Sequence, residues 1–270
     1  MTANIADIIG HILDIIVDNL IIFFVIIITL CVLYILWNFP WILKYYTITI
    51  YRDKTNADDT ILIASDLHLE LGQQVPKSLV RYIEQNSINV VVFAGDLMEY
   101  RRNVDDEVLV SILEDMLSDI IKIQAVHRIY YITSTSSHDP KIKHVTSTKI
   151  HGKPIIIIPG ALQLEVGGTE FFISHCDYAC RNGAVARVIN KLMKKLGRSL
   201  YIENLMRKKL DIPEDTWIIC GHTHIPGIDL NRKLANTGCW KRRVLIKSTE
   251  TAILIKNSKP KLVIPSQLIK

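Results

Sequence analysis

The sequence predicts one α/β domain, built from two packed sheets with helices outside and preceded by a single transmembrane helix. Three observations predict it. An uncharged apolar run near the N-terminus is long enough to cross a bilayer. From Thr60 onward, apolar strand-like runs alternate with amphipathic helical stretches, and the second half is filled by short strands separated by tight turns.

The apolar run is "NLIIFFVIIITLCVLYILW", residues 19–37. At about 1.5 Å per residue, a helix of this length nearly crosses a hydrocarbon core of about 30 Å. No basic stretch precedes it and no small-residue cleavage site follows, so an anchor is expected rather than a cleaved leader. Asp7, Asp14 and Asp18 precede the run, whereas Lys44, Arg52 and Lys54 follow it, which places the bulk of the chain on the cytoplasmic side of the cell membrane as a single-pass protein. Trp37, Trp41, Tyr45 and Tyr46 fall in the aromatic belt on that side. Residues 5–18 carry acids among isoleucines; they extend the helix, lie along the outer surface, or pair with a second copy to give a homodimer. The expected division is an anchor over residues 1–44, a linker and first strand over 45–59, and a domain over 60–270 with a helical insertion at about 183–210.

Across 270 residues the net charge is +5, a modest value for which no nucleic-acid partner is expected. Basic residues concentrate in "RVINKLMKKLGR" and "NLMRKKL", on a helix-like pattern. The five cysteines form no disulfide framework: Cys31 lies in the span, and Cys176, Cys180, Cys220 and Cys239 are scattered through the domain, where they read as reduced thiols and small core residues.

Within the domain, "YYTITIY" is a short alternating strand, and "TILIAS" and "NVVVFAG" are buried strands ending at Asp66 and Asp96. Between them "VPKSLVRYIEQN" has helical apolar spacing; Asp105 to Gln124 is a second amphipathic helix, and "RIYYITS" a third strand. This βαβαβ order predicts a parallel sheet. Later strands are "KPIIIIPG", "ALQLEV" and "TEFFISH", with turns that suit antiparallel hairpins. One long helical segment from about Gly183 to Leu210 comes next, then "TWIICG", "LANTGCW", "RRVLIKS", "TAILIK" and "PKLVIP" as further strands.

Polar residues gather at the ends of these runs: Asp66 and His68 in "SDLHL", Asp96 in "AGDLM", His138 in "SSHDP", His175 in "ISHCD", and His222 and His224 in "GHTH". Ligand sites of α/β sheets form outside the carboxyl ends of strands, so these side chains are expected to converge. Carboxylate and imidazole together suit divalent ions such as Mn, Fe or Zn, and the donors suffice for more than one ion. Two ions a few ångströms apart, bridged by a carboxylate, can activate water against a phosphate ester.

The ordered set "DLH", "GD", "SSHD", "SHCD" and "GHTH", from Asp66 to His224, resembles the calcineurin-like metallophosphoesterase superfamily. The resemblance implies a four-layered α/β/β/α sandwich and a phosphoesterase with two divalent metal ions, manganese first among the candidates. It implies that Asp66, His68 and His224 hold one ion, that His175 and His222 hold the other, that Asp96 bridges them, and that His138 acts as general acid or stabilises the phosphoryl oxygens. Ser137 stands where the family has a metal-binding Asn, and a hydroxyl is the poorer neutral donor, which weakens the second site.

Two features bear on the substrate. The anchor holds the site near the inner leaflet, and Val185, Val188, Ile189, Leu192 and Leu196 lie at helical spacing beside Lys191, Lys194, Lys195 and Arg198. That segment is either a surface for membrane lipid, with Lys194 and Arg198 meeting a diphosphate, or an ordinary packing helix with a solvated basic face. Glu99, Tyr100, Arg101 and Arg102, just after "GDLM", are either substrate contacts or a solvated helix start. Within the superfamily, "SDLHL", "GDLM", "HCDYAC" and "GHTHIP" are most similar to the UDP-diacylglucosamine pyrophosphatases, although those carry "GNR" where this chain has "SSH". The resemblance implies a lipid-linked or membrane-associated phosphate substrate. The alternatives are an enzyme for soluble nucleotides or phosphoproteins and a membrane scaffold that keeps only the fold.

Overall fold

The computed structural model describes residues 5–42, 48–134, 138–242 and 247–268. Helix α1, Ile5–Asn38, runs unbroken for 34 residues, so the acid-bearing stretch upstream of the apolar run extends the helix. Among the described residues it is the one helix long and apolar enough to cross a membrane, over Ile16–Asn38, and its apolar side chains are exposed along that length.

The domain is a mixed α/β fold with a large sheet and flanking helices. Strands β1 (Thr49–Thr55), β2 (Ile61–Ala64), β3 (Val90–Ala94), β4 (Arg128–Thr133), β5 (Thr146–Ile150) and β6 (Lys153–Val166) precede β7 (Thr169–Ser174), β8 (Trp217–Cys220), β9 (Gly227–Asp229), β10 (Leu234–Asn236), β11 (Ala252–Lys256) and β12 (Lys259–Val263). Helices α2 (Lys77–Gln85) and α3 (Asp106–Lys122) fall between the early strands, and α4 (Gly183–Lys195) and α5 (Tyr201–Lys209) between β7 and β8. As the βαβαβ order requires, β2, β3, β4 and β6 pair in parallel.

Two expectations are corrected. "KPIIIIPG" and "ALQLEV" are one 14-residue strand, β6, because its two halves have separate partners: Ile155–Pro159 lies along β4, and Gly160–Val166 along β1 with Ala161–Val166 also along β7. The sheet is therefore continuous, with order β12-β11-β2-β3-β4-β6-β7-β8-β10-β9. The long helical segment divides into α4 and α5, since Gly197 takes φ +75 and its N–H, with that of Arg198, closes back onto Lys194 and Met193 carbonyls. This is a helix C-terminus that glycine favours. Of "RRVLIKS", residues 243–246 lie outside the described residues.

Side-chain alternation distributes the core. Ile61 and Ile63 of β2 point to one face, into a cluster shared with Leu162, Leu164, Phe171 and Ile219 of the other half. Leu62 and Ala64 point to the opposite face, against α2 and α3. Both faces being covered, every residue of β2 and β3 is apolar, each large aliphatic contributing about 1.5–3 kcal/mol by burial. A third cluster packs α4 and α5 on Phe172, Ile218 and Leu234, and receives Phe39 and Trp41 from just beyond α1.

Register aligns Ser174 with Cys220 on neighbouring parallel strands, which brings Cys176 and Cys220 side by side with their Cα atoms 5.6 Å apart. Cys31, Cys180 and Cys239 are free thiols.

Candidate metal centre

Each strand that ends at the site delivers one or two side chains and then turns sharply. Asp66, His68, Asp96, His222 and His224 all have positive φ, between 49° and 68°. A non-glycine residue held there costs about 1–3 kcal/mol, and such strain persists where the surroundings over-determine it, commonly at functional sites. The turns are locked by backbone pairing between loops: Asp66 and His68 donate their N–H groups to the carbonyls of Gly95 and Asp96. Glycine is needed at 95, since a Cβ there would lie 2.5 Å from the His175 ring.

The donor atoms converge. Asp66, His68 and His224 offer ligand atoms within 4.8 Å of one another; so do Asp66, Asp96 and His175, and so do His68, Asp96 and His138. Asp66 Oδ1 lies 2.8 Å from His224 Nε2, and Asp66 Oδ2 accepts from the His222 N–H at 3.0 Å and from the Ser65 hydroxyl. Asp96 Oδ2 is 3.3 Å from His175 Nε2 and 3.8 Å from His68 Nε2, so it stands between the two groups. His222 joins through His175, with Nδ1 3.1 Å from His175 Nε2. Ser137 lies outside the described residues.

The surroundings orient these donors. Asp139 is buried, and its carboxylate accepts the N–H groups of Asp96, Met98 and Ser134, so it holds the loop rather than facing an ion. Burial and then the nearby Asp96 charge push its pKa up to about 6. The His175 Nδ1 faces the Ala94 carbonyl at 3.2 Å and the His222 Nε2 faces the Cys180 carbonyl at 2.7 Å, which turns the other nitrogen of each ring toward the site. Glu99 is a support that the sequence reading left among possible substrate contacts. Its Oε1 lies 3.1 Å from His68 Nδ1 and its Oε2 2.6 Å from His138 Nδ1, so one carboxylate braces both rings. The available signal was an acid three residues after Asp96, on a loop whose facing partner only the fold reveals. Lys241, also missed, donates to the His68 carbonyl at 3.2 Å and lies 3.8 Å from Glu99.

The expected substrate residues are scattered. Arg101 and Arg102 are exposed on the loop after Glu99, and the Arg102 guanidinium lies over the Tyr100 ring. Lys194 lines a cleft of about 250 Å³ with Ser199, Ile225 and Pro226, next in sequence to His224, while Arg198 is exposed in the turn between α4 and α5.

The donor set fits divalent cations. Two carboxylates and four imidazoles are buried together, a charge arrangement that unpaired burial makes costly and that a cation between them relieves. Burial raises the Asp96 carboxyl, but His175 and His68 more than offset it and hold it well below the ordinary range. Burial likewise disfavours the His224 imidazolium, yet the Asp66 carboxylate outweighs that and raises its pKa to about 9. His222 is pushed down to about 4 by burial and by the neighbouring His175.

A pH dependence follows. The His224 pKa is raised, so the stabilisation that the Asp66–His224 pair gives the metal-free protein is complete below the ordinary imidazole range and is lost as pH rises through about 9. Metal must displace this proton, and metal affinity is expected to rise at least about tenfold per pH unit from pH 7 to 9. Calorimetric Mn²⁺ titrations in buffers of different ionisation enthalpy measure both affinity and released protons; a flat profile with no release would contradict the assignment.

No protein-family model matches the chain, and no curated protein matches it. Solved structures do. Vps29 of Entamoeba histolytica, crystallised with zinc, aligns at TM-score 0.40 and 13% identity over 76% of this chain and 99% of its own. A conserved uncharacterised protein of Streptococcus pneumoniae, described as a predicted phosphoesterase, aligns at TM-score 0.32 and 15% identity over 76% and 97%. The phosphoesterase Yfce of E. coli aligns at TM-score 0.34 and 12% identity over 76% of this chain and 98% of its own. At these scores the chemistry rests on the site's own residues: the chain carries a buried aspartate–histidine constellation at its strand ends, with clusters that could hold two divalent ions.

Proposed function

We propose that the chain is a membrane-anchored phosphoesterase of the calcineurin-like superfamily, with the four-layered α/β/β/α arrangement of that family and a site for two divalent ions. The observation that carries this reading is the convergence of Asp66, His68, Asp96, His175, His222 and His224 at strained strand ends around one buried point. In this reading Asp66, His68 and His224 would hold one ion and His175 and His222 the other, with Asp96 shared between them. Manganese is the first ion to test. Bound there, the two ions supply Lewis-acid charge to the phosphoryl oxygens and lower the pKa of water.

The chain's own residues do the rest. His138 has Nδ1 committed to Glu99, which leaves Nε2 to protonate the departing oxygen while the carboxylate stabilises the imidazolium. Arg101 and Arg102 are available to the ester's second substituent. We place the domain on the cytoplasmic side, acting on a phosphodiester or diphosphate that is membrane-associated or lipid-linked. Support comes from the exposed stripe of Val188, Leu192 and Leu196 on and just after α4, flanked by Lys191, Lys194, Lys195 and Arg198. The chain leads straight into this helix from the loop on which α1 ends, with Arg181 N–H donating to the Asn38 carbonyl at 2.7 Å.

The test is hydrolysis of bis(p-nitrophenyl) phosphate and of a lipid-linked nucleoside diphosphate by the full chain in detergent micelles, with Mn²⁺ and with chelator. Chelator-sensitive turnover of both, with higher kcat/KM for the lipid-linked compound, is expected. Hydrolysis of neither would overturn the enzyme reading, and equal kcat/KM the lipid preference.

A further inference from the structure

The segment Ala179–Arg181 lies between the end of the anchor helix and a metal-ligand histidine, and it is gripped from both sides. On the anchor side, the Arg181 N–H donates to the Asn38 carbonyl at 2.7 Å, and the indole N–H of Trp41 donates to the Ala179 carbonyl at 3.0 Å. On the site side, the carbonyl of the residue between them, Cys180, faces His222 Nε2 at 2.7 Å. The grip has further supports. The Arg181 guanidinium stacks over Trp37 at 4.3 Å, Lys209 lies 4.0 Å over the Trp41 ring, and Phe39 and Trp41 pack on the cluster containing Ala179 and Cys180.

We infer that the anchor's end is part of the metal centre: Trp41 and the Asn38 carbonyl set the Cys180 carbonyl, which sets the ring of His222. The physical chain is short. His222 sits at φ 68, in a turn that leaves its ring orientation to whatever the ring touches. With Nε2–H donated to Cys180, the ring's lone pair is on Nδ1, directed toward His175 and the ion they would share. Carbonyls that hold a ligating imidazole in this way typically govern metal affinity by about 10–100-fold. Asp66 is paired with His224 and His68 with Glu99, so the effect is expected first on the His175–His222 ion. Trp41 and Asn38 are thus positioning residues, and a domain whose anchor end is unseated would hold one ion well and the second poorly.

This inference rests on the dinuclear reading above, and the experiment separates the two. Mn²⁺ binding by the full chain in detergent is measured by calorimetry, with bound ions counted by mass spectrometry, for the wild type, Trp41→Ala, Trp41→Phe and Leu205→Ala. Leu205, on α5, packs on the same cluster and reports general loosening. Two ions are expected in the wild type, with the weaker affinity lowered about 10–100-fold in Trp41→Ala, less in Trp41→Phe, and unchanged in Leu205→Ala. Fewer than two ions in the wild type would overturn the dinuclear reading. Two ions in the wild type, with both affinities unchanged in Trp41→Ala, would overturn the positioning role, as would an equal loss in Leu205→Ala. If Trp41→Ala does not fold, unchanged affinity in Trp41→Phe, which keeps an aromatic ring and lacks the donor, decides against it.

Discussion

Asp96→Asn is expected to lower metal-dependent phosphodiester hydrolysis by roughly a thousandfold or more, the rate equivalent of the several kcal/mol that paired ions contribute to a phosphoryl transition state. Asp96 stands between the two halves of the centre, 3.3 Å from His175 and 3.8 Å from His68. Its charge is held by those imidazoles against the burial that opposes it. The amide has the same shape and no charge, so the loop, pinned by Asp139 on the Asp96 and Met98 N–H groups, keeps its geometry while the bridging donor is lost. Initial rates and bound Mn²⁺ per chain should fall together, with thermal unfolding of the metal-free protein little changed. A variant that keeps two ions and more than a tenth of the rate would remove Asp96 from the bridging role.

His138→Gln is expected to lower kcat by about 10²–10⁴-fold, the usual worth of a placed general acid. His138 is half-exposed, stacks edge-on to His68 with ring centres 4.6 Å apart, and shares Glu99 with it. This geometry permits two assignments, because His138 also falls within ligand distance of His68 and Asp96. Metal counting separates them. A proton donor leaves both ions bound when replaced and is rescued on esters whose leaving group is already a good anion. A ligand loses an ion with the rate, and that result would reassign His138.

Much of the architecture was legible because it is written locally. The apolar runs of β2, β3 and β4 and the helical spacing of α2 and α3 lie where the periodicity placed them. The strands β5 and β9 escaped notice, being short and half-exposed without strong alternation. The unity of β6 was invisible for a different reason: Pro159-Gly160 reads as a turn, and only pairing with β1, β4 and β7, contributed from both sides in sequence, holds it straight. The same holds for the break between α4 and α5, where amphipathic spacing continues across Gly197.

The site divides along the same line. By itself the sequence determined which aspartates and histidines gather at the strand ends, because such residues immediately after buried strands are costly to place without purpose and parallel strands deliver their ends to one edge. Tertiary structure alone decided how those residues are held. Glu99 spans His68 and His138, Asp139 pins the Asp96 loop, Cys176 comes beside Cys220, and the end of α1 reaches the loop behind His222. Trp41 and Ala179 are 138 positions apart, a separation over which periodicity carries no information. A ring's orientation depends on a hydrogen bond accurate to a few tenths of an ångström, and such a bond exists only once the sheet has brought its two partners together.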